Sequence, residues 1–442
     1  MSVRLPRVAA KLGADFQDLR VEELRRACQD RVAEDVQLDF KAEDSYTSKP
    51  VGLDELAKDV TALANAQGGL IIIGIAEDDQ GNAFELRPLD VTKCDDLIGK
   101  MEQGLRARVV PLYPDVAIRV VEDPDASGMG FYLIGVPRSP LAPHAVRKTS
   151  RPEYSYALRV GRNTAWLEEN EIAARYRDRF RLAEDHVIRV REVFKRGTGL
   201  APEGGDVYNA RPLVFLELAA VPAVPAERRV DTGFISQMAG FYGGLARNAP
   251  IPGLAQGFIG RMPIVQRGRL RYEFDLAEAE WYTDGSSFLR TLVSVGSHGE
   301  PPKLNYSALE LRILALLHMA SSYANWVGAY GDIDVLARTI GAQTVSPDLR
   351  PPTEQSMFID HSSVKRGSNE PSHLTASLHS LIEEPVQLLT SAYNIAADLL
   401  ADYGQADTTL LMSDGSVRWQ RMGSHGDNQL HTWMTEVGLI DG

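Results

Sequence analysis

The sequence predicts an α/β (α+β) protein, with a mixed-sheet N-terminal domain followed by a second mixed α+β domain. Three observations lead there. Over residues 1–196, segments with apolar residues at helical spacing are interspersed with segments that alternate or run continuously apolar. A chain of 442 residues is longer than one ordinary core requires. The stretch 197–205, with Gly197, Gly199, Pro202, Gly204 and Gly205, divides it as a linker.

Taken in order, Val21, Leu24, Ala27, Val32 and Ala33 form an approximate helical stripe, and residues 36–40 alternate as a short strand. Residues 42–51 are polar and read as a loop. Leu56, Val60, Leu63 and Ala64 recur as a helix face until Gly68 and Gly69 stop it, because glycine accepts the left-handed backbone of a C-cap. Residues 70–76 form a central strand, apolar on both faces, that ends in the acidic turn Glu77-Asp78-Asp79-Gln80-Gly81. Further strands are expected at 116–121, 131–136 and 154–160, and helices at 95–109 and 169–181. In the second domain, 206–442, strands are expected at 212–220, 271–274 and 288–295. A long helix is expected at 306–323, a loop at 342–370, and helices at 374–383 and 386–403.

Composition excludes several classes. With 47 Lys+Arg against 60 Asp+Glu and 44% hydrophobic residues, the chain reads as a soluble globular protein. Its two cysteines, Cys28 and Cys94, cannot make a disulfide framework or a four-ligand zinc site. The run 70–76 falls far short of the ~20 residues of a membrane helix, and no secretory signal opens the chain, so a cytoplasmic protein with no membrane partner is expected. There is no Gly-x-x-x-x-Gly-Lys-Ser/Thr, no Gly-x-Ser-x-Gly, no His-Glu-x-x-His and no Cys-x-x-Cys.

Charge is unevenly spread. Residues 138–196 carry 14 basic and 8 acidic side chains, with Tyr154, Tyr156, Trp166, Tyr176 and Phe180 among them. Guanidinium groups beside aromatic faces suit phosphate neutralisation and base stacking on a looped nucleic acid. Equally, Arg175, Arg177, Arg179 and Arg181 fit the solvated face of a helix. Lys49, Arg147, Lys148, Arg159 and Arg162 are the candidate nucleic-acid contacts.

The remaining chemistry is a set of acids with one lysine: Glu34, Asp39 and Lys41, then Glu77, Asp78 and Asp79. If the strand at 36–40 lies beside the one at 70–76, these acids converge at one sheet end. Converging carboxylates repel unless a hard cation separates them, and Mg²⁺ or Mn²⁺ is the natural guest. Such a site can activate water and neutralise charge on a phosphodiester. Lys41, two residues beyond Asp39, shares its strand face. The plainer reading is a helix end, a solvent-facing acid and an ordinary acidic turn.

Glu34-x-x-x-x-Asp39-Phe40-Lys41, then Ala62-Leu63-Ala64-Asn65-Ala66-Gln67-Gly68-Gly69, then Ile73-Gly74-Ile75 and acids, resembles the Schlafen core, or AlbA_2 domain. Its signature is Glu-x-x-x-x-Glu-Phe-Lys, Ala-Phe-Ala-Asn-Thr-x-Gly-Gly and Ile-Gly-Val-Asp-Asp. Arg159-Val160-Gly161, Thr164 and Glu171-Ile172 resemble its later strand and helix, so the likeness covers residues 17–182. The resemblance implies a metal-dependent endoribonuclease that cleaves transfer RNA or other structured RNA. The family's two glutamates and aspartate fall on Glu34, Asp39 and Glu77, with Asp78 as an alternative third ligand and Lys41 beside the phosphate. Asp39 is one methylene shorter than the family's glutamate, and Glu77 one longer than its aspartate. The resemblance further implies a homodimer, a part in antiphage defence, and a C-terminal sensing domain answering a phage-derived trigger. Two other readings stay open. One is a non-catalytic nucleic-acid-binding regulator. The other is a protein-interaction or dimerisation platform with Trp281, Trp326, Trp419 and Trp433 as contacts.

Overall fold

Glycine and proline punctuation, apolar periodicity and strand alternation translate into two compact units, Met1–Glu184 and Asp185–Gly442. The computed structural model describes residues 3, 5–49, 51–112, 115–148, 153–198, 213–226, 228–250, 262–273, 277–295, 303–341, 344–346, 370–405, 407–419 and 427–440.

The first unit opens with helices α1 (Pro6–Leu12) and α2 (Val21–Gln29), edge strand β1 (Leu38–Lys41) and helix α3 (Gly52–Asn65). Strands β2 (Gly69–Ile73), β3 (Ile75–Glu77), β4 (Ala83–Leu86) and β5 (Leu89–Asp90) precede helix α4 (Cys94–Arg108). Strands β6 (Val109–Val110), β7 (Ala117–Glu122), β8 (Met129–Val136), β9 (Ala145–Arg147), β10 (Tyr154–Ser155), β11 (Ala157–Val160) and β12 (Asn163–Trp166) come next. Helix α5 (Glu169–Thr198) contains the boundary between the units. β1 and β2 pair in parallel, Leu38 opposite Leu70 and Asp39 opposite Ile71, while β8 pairs antiparallel with β2, β5 and β7.

Strand alternation gives this sheet two cores. Leu38, Phe40, Leu70, Ile72, Phe131 and Leu133 face α1 and α2, packing with Val8, Leu12, Val21 and Leu24. Ile71, Ile73, Tyr132, Ile134 and Val136 face α3 and α4, packing with Leu56, Val60, Leu63, Met101 and Leu105. Gly68 and Gly69 join α3 to β2 because nothing larger fits: Gly68 has φ +71°, and a Cβ on Gly69 would lie 2.5 Å from the Gln37 carbonyl.

Asn65, at the C-terminus of α3, is 2% exposed. Its Nδ2 donates to the carbonyls of His144 and Ala157 at 2.9 and 2.8 Å, and its Oδ1 accepts from His144 N at 2.6 Å. It therefore ties three chain segments together. His144 is fully buried, with Nδ1 2.8 Å from the Pro111 carbonyl and Nε2 2.6 Å from Ser139 Oγ. Burial lowers its pKa to about 4, so it is neutral and structural.

The second unit is built on strand β13 (Leu213–Val224), helix α6 (Thr232–Asn248), and strands β14 (Ile264–Gln266), β15 (Arg269–Glu273), β16 (Ala277–Tyr282), β17 (Ser287–Val295) and β18 (Lys303–Asn305). Helix α7 (Tyr306–Val327), strands β19 (Tyr330–Ile340), β20 (Thr344–Ser346) and β21 (Ser372–Ser377), and helices α8 (Leu378–Glu383), α9 (Pro385–Ala401) and α10 (Asp427–Glu436) complete it. Seven strands form an antiparallel sheet in the order β14-β15-β16-β17-β13-β19-β21. Leu216, Leu218, Leu289, Val335 and Ala337 on one face share a core with Ile313, Leu317 and Ala320 of α7 and Leu388 and Ala392 of α9. Ala219, Val221 and Phe288 on the other face meet Val190, Val193 and Phe194 of α5.

Several expectations are corrected. The strand expected at 70–76 breaks at Gly74, whose φ of +109° separates β2 from β3. The helix expected at 374–383 begins as β21, because Leu374 and Ala376 pair with Val335 and Ile333 of β19 and the Ser377 side chain caps the short helix α8. Helix α5 runs on to Thr198, since Val190, Val193, Phe194 and Gly197 bury a face at helical spacing. Gly197 and Thr198, placed in the linker, are thus helical, while 199–205 lie outside the described residues, as does most of the loop expected at 342–370. Trp281 and Trp433 are buried in the second unit's core and Trp326 and Trp419 pack partly buried against it. Cys28 and Cys94 are free thiols. Among the described residues, no helix is long and apolar enough to cross a membrane.

Removing the Asn65 side chain leaves a buried N–H and two buried carbonyls without this partner. We expect Asn65→Ala to lower the stability of the first unit by about 3 kcal/mol, read as a lower urea midpoint with no change in the fluorescence of the second unit's tryptophans.

Candidate active site

The register of β1 creates the site. Leu38 and Phe40 close the α1/α2 core, so Asp39 and Lys41, beside Ile71 and Ile73, point to the α3 side. Where β2 presents isoleucine to α3, the edge strand presents an acid and a base. α3 answers with polar groups of its own: Asp59 accepts a 2.8 Å hydrogen bond from the buried Tyr46 hydroxyl and lies within 3.6 Å of Lys58. Burial raises the pKa of Asp59, against the influence of Lys41 and Lys58. The result is a polar cleft of about 740 Å³, lined among others by Glu34, Asp39, Lys41, Glu77, Arg159 and Arg162.

Backbone hydrogen bonds bring the acids there. Glu34 N donates to Gly81 O at 2.9 Å and Ala83 N to Val32 O at 2.8 Å, stitching the segment after α2 to the acidic turn. Glu34 Oε1 accepts from Phe40 N at 2.6 Å. Burial, reinforced by Asp39 and Glu77 and opposed by the Phe40 N–H and Lys41, pushes the Glu34 carboxyl up to about 7. Glu77 is exposed at the end of β3. Asp78 lies in the turn, lowered to about 2 by hydrogen bonds from the Asn82 backbone and amide, the Gln80 N–H and Arg31.

The hairpin of β11 and β12 supplies the other wall. Arg159 Nη2 lies 2.8 Å from Asp39 Oδ1, with both side chains almost fully buried. Lys41 Nζ pairs with Asp39 Oδ2. Arg159 Nε reaches the Asp35 carbonyl at 3.3 Å, and Arg162 donates to the Gln80 carbonyl.

Every candidate catalytic and metal-ligating residue, Glu34, Asp39, Lys41, Glu77 and Asp78, therefore lines one cleft. All-oxygen carboxylate donors have the chemistry Mg²⁺ or Mn²⁺ prefers. The arrangement does not fit such an ion: among the described residues, no three acidic, histidine or cysteine side chains are grouped to hold one. Both Asp39 oxygens already face protein cations, and Asp78 is engaged by Arg31 and Asn82.

Of the candidate nucleic-acid contacts, Lys49, Arg159 and Arg162 line the cleft, Arg159 as a buried partner of Asp39. Arg147 and Lys148 are exposed at and just beyond β9, away from the cleft lining, and Lys148 pairs with Glu153 at 3.0 Å. Arg175, in the basic helix, donates to the Asn65 carbonyl at 3.0 Å. Sequence reasoning missed Tyr46, Lys58, Asp59 and Asn163, and named Thr164 only among the residues of the resemblance. Asp59 carried a signal: it sits three residues from Leu56 and four from Leu63, a carboxylate on the buried face of a helix.

A small mixed-sheet domain with an acid- and base-lined cleft at its edge strand is the class these features define. Residues 34–167 match the family described as Schlafen, AlbA_2, and this part of the chain is a Schlafen AlbA_2 domain. Among solved structures, the chain is similar to the DIP2311 protein of Corynebacterium diphtheriae, at 23% identity over 37% of this chain and 27% of that one, with a TM-score of 0.23. It is also similar to the N-terminal domain of a protein described as related to the ATP-dependent DNA helicase RecG, from Nitrosomonas europaea. That match has 18% identity over 32% of this chain and 88% of that domain, with a TM-score of 0.24. The chain thus spans little more than a quarter of the Corynebacterium protein. No curated protein matches it.

The raised Glu34 carboxyl ties stability to pH. Its folded pKa of about 7 stands above the ordinary 4.5, so the folded state binds an extra proton between those values. Stability from this group is complete below pH 4.5 and lost as pH rises through 7. We expect Glu34→Gln, which keeps an acceptor for Phe40 N–H, to melt a few degrees above the native chain at about pH 8 and level with it at about pH 4.5.

Proposed function

We propose that the Schlafen AlbA_2 domain is an endoribonuclease with transfer RNA or another structured RNA as substrate, and that the cleft at β1 is its reaction centre. The observation that carries this reading is that Glu34, Asp39 and Glu77 line one cleft together with Lys41, from a loop, an edge strand and a strand end. The exposed cations that a phosphodiester could meet in the cleft are Lys49 and Arg162, which share its lining with the exposed acids Glu55, Glu77 and Asp79. The Lys41 ammonium, partly exposed beside Asp39, is placed to neutralise charge on a phosphate oxygen. Glu34, with a pKa of about 7, is divided between acid and base near neutral pH, the condition under which a carboxyl best passes a proton to or from a reacting oxygen.

The test is incubation of the full chain with total transfer RNA in Mg²⁺, in Mn²⁺ and in EDTA, beside Glu34→Ala and Glu77→Ala. We expect discrete fragments from the native chain, at least a hundredfold fewer from either variant, and an unchanged RNA shift on a native gel. Intact RNA under every condition overturns the reading. A salt-sensitive shift without cutting would then assign the domain to non-catalytic RNA binding.

A further inference from the structure

Taking the cleft as the reaction centre, we propose that Arg159 occupies the cation position at Asp39, and that it withholds this carboxylate from a divalent ion for as long as it is seated there.

The geometry is specific. Asp39 is 3% exposed and Arg159 7%, so this ion pair lies within the protein wall and not on a solvated surface. A buried carboxylate is costly unless a counter-charge meets it, and here two do: Arg159 Nη2 at 2.8 Å from Oδ1 and Lys41 Nζ at Oδ2. A metal ion needs those same oxygens. Arg159 is also anchored from outside the pair. Its Nε reaches the Asp35 carbonyl, and its strand β11 is held to β12 by four paired positions and to α3 through the Ala157 carbonyl and Asn65. Arg159 therefore enters the cleft on a braced strand, with its guanidinium set against Asp39. Lys41 lies on a flexible stem and is 29% exposed, so it can swing away at little cost; Arg159 cannot. This makes Arg159 a positioning residue for Asp39, and its part in metal loading is inhibitory.

The experiment reads bound Mn²⁺ on the full chain, by electron paramagnetic resonance and calorimetric titration. If Arg159 withholds Asp39, then Asp39→Asn matches the native Mn²⁺ affinity within twofold, whether both bind or neither does. Arg159→Gln tightens binding at least tenfold, and the double variant Arg159→Gln with Asp39→Asn returns it to the native level. A tenfold weakening in Asp39→Asn alone overturns the proposal, because Asp39 would then already be a ligand. So does a folded Arg159→Gln with unchanged affinity. If Arg159→Gln does not fold by circular dichroism, the comparison of native with Asp39→Asn decides. Because the readout is bound metal, it stands apart from cleavage: failure of the nuclease reading shows as intact transfer RNA, with these Mn²⁺ affinities unaffected.

Discussion

Asp39 is a carboxylate buried on the edge strand of a sheet, and the neighbouring structure is arranged around keeping it neutralised. An unpaired charge there would cost several kcal/mol. Lys41 comes from the same strand face, Arg159 from a hairpin more than a hundred residues further along. The β11–β12 hairpin must therefore close over β1, and the braces that hold it there, Asn65 to Ala157 and Arg162 to Gln80, belong to the architecture of the cleft. Among the described residues, Glu34 has no such cation seated against it; burial first, then the nearby charges of Asp39 and Glu77, displace its carboxyl toward neutrality.

This divides labour among the residues of the Asn65 to Gly69 block and the acids. Asn65 contributes no side chain to the cleft lining; it fixes the end of α3, the His144 segment and the start of β11. Gly68 and Gly69 let β2 begin beside Gln37, which sets the register that turns Asp39 from the α1/α2 core to the α3 side. The block is thus what positions the chemistry, and Glu34, Asp39, Lys41 and Glu77 carry it.

The second unit solves the same electrostatic problem twice, once by the same means and once by another. Glu217, fully buried on β13, is met by Arg290 at 2.8 Å and Arg338 at 2.8 Å, and Arg290 also reaches Glu278 at 2.9 Å. Glu310 on α7, equally buried, instead accepts three backbone N–H groups, from Thr409, Leu410 and Leu411 at 2.6 to 2.8 Å. Even with these donors burial is the largest influence, and the Glu310 carboxyl stays raised. Both arrangements sit inside the packed second unit, which suits a framework role for each.

By itself the sequence determined what depends on local order: the α3 stripe with its glycine stop, the apolar β2, the acidic turn, and the acids and lysine of the cleft. These are properties of spacing within a few residues, and they are legible because helix and strand periodicities are short. Only the tertiary structure decided what those acids face. That Arg159 is a buried partner of Asp39 and not a free phosphate contact, that Asp59 and Tyr46 complete the wall, and that residues 372–377 are a strand all depend on distant neighbours. Leu374 reads equally well on a helix or a strand until β19 lies beside it. Long-range pairing and burial set the counter-ion of each carboxylate, and neither is written in the order of nearby residues.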